Sequence, residues 1–467
     1  MELPEELKVQ NLSDPRSSKT FTYKTQPVSF SQEKLRFEIR QQGIMSSNAI
    51  IQLCAMSNFD NGCYPMVIGA RSLVAEAILS TKSGKVIYHN RHFSQQSVVE
   101  VPFRSNTYHK FKAPYLDMSY FSMANNLALE PTSAGGEGGQ VIRPSAIRMT
   151  DVDGAVVQPQ SNCVLPTTAE AVADLNQIPT VQITLAELFP LLYNTQLPVG
   201  MMEELFIDII FRKDSGAGEV FVPNGAVYSS TSAPLVQRDC VLLSDHIVYD
   251  DPAVSLSIVE KMKDNLTFNF ADVATQIISL PTVVATRLVE TEHDLACRNY
   301  KLLNVKAISL IGAGVTQGVF GKYYSSGVLT QKNSNYIIND SQVYPNNNQN
   351  MAENFTRLNK LYDIPSNIPK PLFAKTNAGA TGFPTAGQTF SGENYAAFPG
   401  ALNVSAVNLT DDMGRPLQNG NSSVRLLYKR SSNNADITTG NLMYYFVSFL
   451  RSFSVSANGN VLVADYV

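Results

Sequence analysis

Along much of this chain, apolar and polar residues alternate with a period of two. "KLRFEIRQQ" from Lys34 and "TVQIT" (180–184) each put every second residue on one side, the signature of strands with one face in a core, and "LFIDIIFR" (205–212) is a further strand. "FTYKTQPVSF" (21–30), "AIIQLCAMS" (49–57), "SLVAEAILS" (72–80), "GKVIYH" (84–89), "GEVFVP" (218–223) and "CVLLSDHIVYDD" (240–251) extend the series. Ser83-Gly84 supplies a hairpin-type turn. A second series comprises "NLTFNFADVATQIISL" (265–280), "TVVATRLVE" (282–290), "LLNVKAISLIG" (302–312) and "NYIINDSQVYP" (335–345). "SSVRLLYKR" (422–430), "LMYYFVSFLRSFSVS" (442–456) and "NVLVADYV" (460–467) complete it. These runs are rich in the β-branched and aromatic side chains that suit a pleated surface. Sustained helical periodicity is absent. Short helices are predicted only around His92–Val99, Thr184–Leu192, Val254–Met262 and Met351–Leu361.

Two stretches break the pattern. Residues 124 to 179, including "SAGGEGGQ", and residues 363 to 403 are rich in Gly, Pro and Asn and read as long surface excursions. A chain of 467 residues exceeds one ordinary core and suits two domains of roughly 200 residues. Near 250–264, "DDPAV" and "EKMKDN" interrupt the β pattern. The predicted organisation is an arm over 1–18, a first β domain over 19–253 and a second over 254–467. Short strands with frequent turns in each half indicate an all-β fold of sandwiches or jelly rolls.

The stretch "TLAELFPLLYNTQLPVGMMEELFIDIIFR" (184–212) joins a brief helix to a thick strand. Thr184 and Glu187 fit the capping box, in which the Glu side chain reaches back to the cap. Leu185, Leu188, Phe189 and Leu192 then form a one-sided apolar plug, and Pro190 limits the helix. In the strand, Leu205, Ile207, Ile209 and Phe211 face one way and Phe206, Asp208 and Ile210 the other, so cover is expected on both faces. The plug has two readings: a lid over the end of a sandwich, or a wall against another subunit.

Composition narrows the function. Hydrophobic residues make up 44% and charged residues 16%, a low charge density that suits a protein hiding much of its surface. The formal net charge is -4, with no basic block to bind nucleic acid. Five cysteines (Cys54, Cys63, Cys163, Cys240, Cys297) are scattered without a CxxC pair and read as buried thiols of a cytosolic product. The polar N-terminus has no apolar signal region, and no run approaches a transmembrane span, so a soluble protein is expected.

Candidate chemistry is sparse. Gly312, Gly314 and Gly318 follow a strand in "VKAISLIGAGVTQG", but the third glycine falls one position late for a dinucleotide fingerprint and no amphipathic helix follows. His89 and His92 in "HNRH" lack the Glu and third ligand of a zinc site, and His109, His246 and His293 are isolated. No serine occupies a GxSxG elbow. Asp250-Asp251 and Asp411-Asp412 lie in turn-like contexts, where capping or solvated roles are commonest. No catalytic, cofactor-binding or metal-binding residue is assigned, no cofactor is expected and no enzymatic activity is predicted.

In their order, five stretches resemble the double jelly-roll major capsid proteins of double-stranded DNA viruses, the lineage of adenovirus hexon and the tectivirus and giant-virus capsid proteins. Polinton-like virus and virophage capsid proteins look closest. The stretches are "ARSLVAEAILSTKSGKVIYHNRHFSQQSVVEVPFRS" (70–105), the "LFP…LP" passage beginning at Thr184, "CVLLSDHIVYDD", "YIINDSQVYPNNNQNMAENFTRL" (336–358) and "LMYYFVSFLRSFSVSANGNVLV" (442–463). "HIVYDD" lacks the basic run that follows it in the large-virus members. The resemblance implies two tandem eight-stranded jelly rolls with short helices and long surface loops. It also implies pseudo-hexagonal homotrimers that tile an icosahedral shell around a DNA genome, each burying on the order of several thousand Å².

The implied partners are further copies of the chain, penton proteins and minor capsid proteins. The implied location is the virion, after synthesis in the host cytoplasm. The long loops would rise on the outer face, and the arm would lie inside or against neighbours, dispensable for the trimer but needed for the shell. A tandem β-sandwich binding module of fibre or lectin type is the alternative; an enzyme using the "GAGVTQG" loop is the third class.

Overall fold

The computed structural model describes residues 18–54, 62–65, 68–104, 117, 149–150, 156–157, 180–193, 195–212, 220, 222–223, 240–279, 288–296 and 300–311. It also describes 323, 330–338, 341–342, 361, 373–375, 395–397, 404–410, 415–418, 424–431 and 441–464. Strands between Ser18 and Tyr249 form two five-stranded antiparallel sheets. One runs in the order Ser18–Thr25, Val241–Tyr249, Ile50–Cys54, Thr180–Thr184, with Ile44–Met45 joined to Val241–Tyr249. The other runs Ser29–Phe30, Lys34–Glu38, Leu205–Phe211, Val74–Thr81, Val86–Asn90.

Alternation decides how these sheets face each other. Leu35, Phe37, Ala77, Leu79, Ile207 and Ile209 of one sheet meet Ile51, Leu53, Val181, Ile183 and Leu242 of the other in one buried cluster. Their polar neighbours point outward, as a period of two requires. The reverse face of Leu205–Phe211 is only half covered, because Phe206 and Ile210 stay intermediate in exposure. Asp208 there is buried by its cross-strand partner Arg36, which binds it through Nε at 2.6 Å and Nη2 at 2.7 Å. The same guanidinium lies 5.5 Å from the Phe206 ring centroid. Expected cover on both faces is thus met by an arginine on one side.

The helix Pro252–Lys263 follows, one or two residues longer at each end than its pattern predicts. Asp251 caps it, accepting from Ala253 N at 2.8 Å, with Pro252 in the first turn, where proline's missing N–H costs nothing. Val254, Ile258 and Met262 face the core. Asp250 instead pairs with Lys19 at 3.4 Å.

The remaining strands form a six-stranded and a four-stranded antiparallel sheet. The first runs Leu266–Ser279, Asn441–Val455, Lys301–Ile311, Val404–Asn408, with Leu417–Gln418 and Val461–Ala464 attached; the second runs Leu288–Leu295, Val424–Ser431, Thr330–Ile338, Ser341–Gln342. Leu302, Val305, Ala307, Tyr445, Val447 and Phe449 pack against Leu295 and Tyr336 across that sandwich.

Several expectations shift in detail. Ser18, assigned to the arm, already pairs with Tyr249. Val404–Asn408, next to the second excursion, is a strand the pattern missed. The pairs Met149–Thr150 with Val156–Val157, and Phe373–Lys375 with Tyr395–Ala397, are short ladders inside the two excursions. The expected helix at His92–Val99 spans Phe93–Arg104. Residues 351–360 of the fourth expected helix lie outside the described residues.

Candidate functional site

The plug is built locally. Thr184 has extended backbone, φ -71° and ψ 143°, and its hydroxyl accepts from Glu187 N at 3.3 Å. One helical turn, Leu185–Leu188, gives way at Phe189 (φ -130°, ψ 91°) to the 3-10 turn Pro190–Leu192. Leu185, Leu188, Phe189, Leu191 and Leu192 are all buried.

Half of the expected capping box does not form. Glu187 turns its carboxylate away from the cap to Arg71, with Oε2 at 2.6 Å from Nε. Arg71 is 1% exposed and holds Asp117 Oδ2 at 2.9 Å with its Nη2. Burial works against the guanidinium's charge, but Asp117 and Glu187 outweigh it and hold the pKa above its ordinary value. Glu187 is therefore a structural counter-ion and only incidentally a helix-start residue. Sequence reading missed Arg71 because its partners lie far along the chain.

Phe189 leads from the plug into the junction between the two pairs of sheets. Its ring meets Tyr88 edge-on at 6.0 Å, Tyr88 lies 6.0 Å from Phe270, and Phe270 lies 6.1 Å from Phe453, which stacks on Phe268 at 4.9 Å. Such aromatic contacts add about 0.5–1.5 kcal/mol each beyond area burial. One continuous core cluster extends from Leu35 through Phe189 to Val455 and Val461. The lid reading is thus right about burial and incomplete about location: the plug closes the first pair of sheets and seats the second.

Polar contacts fix the same junction. Lys85 Nζ donates to Val461 O at 2.7 Å, Val461 N donates to Glu203 Oε1 at 2.9 Å, and Glu203 N donates to Gly459 O at 2.9 Å. Gly459 has φ +77°, and a Cβ there would stand 2.7 Å from Met201 O, so the turn can approach only as glycine. Burial works to raise the Glu203 pKa, but the bonds its carboxylate accepts from Val461 N and Ser83 hold it below its ordinary value. Lys306 of the six-stranded sheet pairs with Glu100 of helix Phe93–Arg104, both buried. His92 packs its ring on Tyr444 at 6.3 Å. The face that carries Tyr444, Phe446 and Lys306 is thus turned to His92 and the helix Phe93–Arg104, opposite the face that packs on the four-stranded sheet.

The other sequence candidates do not converge. His89 Nε2 sits 2.8 Å from Glu76, and Arg91 donates to its Nδ1 at 3.4 Å, while His92 faces Tyr444 across the junction. Among the described residues no three His, Cys, Asp or Glu side chains gather as a metal site. His293 hydrogen-bonds Tyr445, and His246 is buried between Ser244 and Gln42. Cys54 and Cys240 are buried thiols beside Tyr64. His109, Gly312, Gly314, Gly318, Asp411 and Asp412 lie outside the described residues. No described helix is long and apolar enough to cross a membrane.

No protein-family model and no curated protein sequence matches the chain. Solved structures do match in fold. A chain of the Sputnik virophage structure aligns with TM-score 0.58 at 9% identity, covering 99% of this chain and 92% of that one. The PBCV-1 virus capsid gives TM-score 0.57 at 9% identity over 98% and 99%. The mavirus major capsid protein gives 0.54 at 8% identity over 99% and 95%. With antiparallel sandwiches in both halves and likeness over nearly the whole length, the chain has the double jelly-roll fold.

Proposed function

We propose that this chain is a major capsid protein: it self-assembles into pseudo-hexagonal homotrimers that tile an icosahedral shell around a DNA genome. Its jelly rolls are assigned to residues 19–253 and 254–467, joined at the helix Pro252–Lys263. The observation carrying this reading is the end-to-end match of both rolls to capsid chains, together with the buried cluster that runs across the junction between them. Two like lobes per chain supply six corners from three chains, and a rigid junction keeps those corners at a fixed spacing.

The role is structural rather than enzymatic, and its site of action is the virion, after synthesis in the host cytoplasm. Further copies, penton proteins and minor capsid proteins are the partners; residues 1–17 serve shell assembly, and the excursions 124–179 and 363–403 stand on the outer face. Light scattering of purified protein tests the assembly: a mass of three 51.2 kDa chains supports it. A well-folded monomer at micromolar concentration would count against it, since obligate oligomers lose fold and contacts together.

A further inference from the structure

The N-terminal strand Ser18–Thr25 is an edge strand with little to hold it. It pairs along its whole length with Val241–Tyr249, yet only Tyr23 and Thr25 are even half-buried. What covers it is one small cluster. Directly opposed positions of an antiparallel pair share a face, so Phe21, Tyr23, Ser244 and His246 lie together. The Phe21 and Tyr23 rings stack at 6.3 Å, and Tyr23 meets the His246 ring edge-on at 5.1 Å. Residues 40–45 close over them. Tyr23 Oη donates to Gln42 Oε1 at 2.5 Å, and the Arg40 guanidinium lies 4.5 Å from the Tyr23 ring centroid. Gly43, at φ +60°, is pressed so close that a Cβ would fall 2.3 Å from Ile247 O.

His246 is the centre of this cluster and is 0% exposed. Its Nδ1 lies 2.7 Å from Gln42 O, a carbonyl that can only accept, so Nδ1 carries the proton. Nε2, 2.9 Å from Ser244 Oγ, then accepts from the hydroxyl. Both nitrogens are satisfied in the neutral ring. We propose that His246 is an acid-sensitive latch: neutral, it holds Ser18–Thr25 on the sheet; protonated, it releases that strand.

The charged and titratable groups around it are Arg40 from the covering segment, Tyr23 from the edge strand and Asp245 on its own strand, engaged with Thr22 at 2.6 Å. Burial pushes the His246 pKa below its ordinary 6.5; the Gln42 carbonyl opposes, Arg40 assists and Asp245 opposes. Because the docked value is depressed, the latch contributes fully above the ordinary value and is lost as pH falls through the docked one.

Hydrogen exchange of the full-length protein, read at 18–25 against 205–211 as internal control, tests this independently of the capsid proposal. Protection of 18–25 should therefore fall between about pH 7.5 and about pH 5, across the ordinary histidine range, while that of 205–211 does not. His246→Gln, which can still donate to Gln42 O, should abolish that dependence. Arg40→Gln, at an exposed position, should shrink it by removing a like charge, so the test survives if His246→Gln does not fold. Protection at 18–25 that tracks 205–211 at every pH, or the same acid loss in the variants as in the parent, overturns the latch.

Discussion

Replacing Glu187 with alanine removes one of two carboxylates that hold a guanidinium deep in the fold. Arg71 is 1% exposed, with Glu187 at 2.6 Å and Asp117 at 2.9 Å. Removing one partner of a buried ion pair costs about 3–5 kcal/mol, because the other charge stays buried. Asp117 remains and Glu187 is itself 18% exposed, so the loss should fall near the low end, about 3 kcal/mol. Thr184→Ala removes only the cap, a single 3.3 Å bond to Glu187 N, and should cost about 1 kcal/mol. The gap of about 2 kcal/mol between them separates counter-ion from cap. Urea denaturation at one fixed protein concentration measures it, provided the variants share a slope. If Glu187→Ala loses no more than Thr184→Ala, Asp117 alone holds Arg71 and the capping-box reading was correct.

Phe189→Ala should cost about 3–5 kcal/mol, lowering melting temperature and soluble yield, since the ring is fully buried against Tyr88. A variant that melts like the parent but no longer builds shells would move Phe189 to a contact between trimers. Gly459→Ala should lose about 1–3 kcal/mol and more than Gly84→Ala. Both have positive φ, but only Gly459 has backbone against its missing Cβ; equal melting temperatures would mean the 456–460 turn does not press on Met201. Removing residues 1–17 should leave trimers intact by light scattering and impair shell assembly, whereas failure to trimerise would put the arm in the core.

Strands with clean alternation were legible from sequence: "TVQIT" is a strand over Thr180–Thr184, with Val181 and Ile183 inside. So was the helix after Asp251, whose cap and proline announce it locally. Val404–Asn408 was not, because Val404, Ser405, Ala406 and Val407 are all buried, and a strand covered on both faces has no period of two. The role of Glu187 was misread because the capping motif is local while its actual partner lies 116 residues away. Asn441–Val455 is a similar case: its Tyr444 and Phe446 are buried within the chain, at the junction with His92. That junction depends on pairs such as Tyr88 and Phe270, and nothing in either local sequence announces the other.

The central claim is that each chain contributes two rigidly joined lobes to a three-fold tile. Two-dimensional class averages of the purified protein by electron microscopy test it most directly. The account predicts particles of hexagonal outline with three-fold symmetry and six lobes. Two-lobed single particles, or rings with another symmetry, would contradict it.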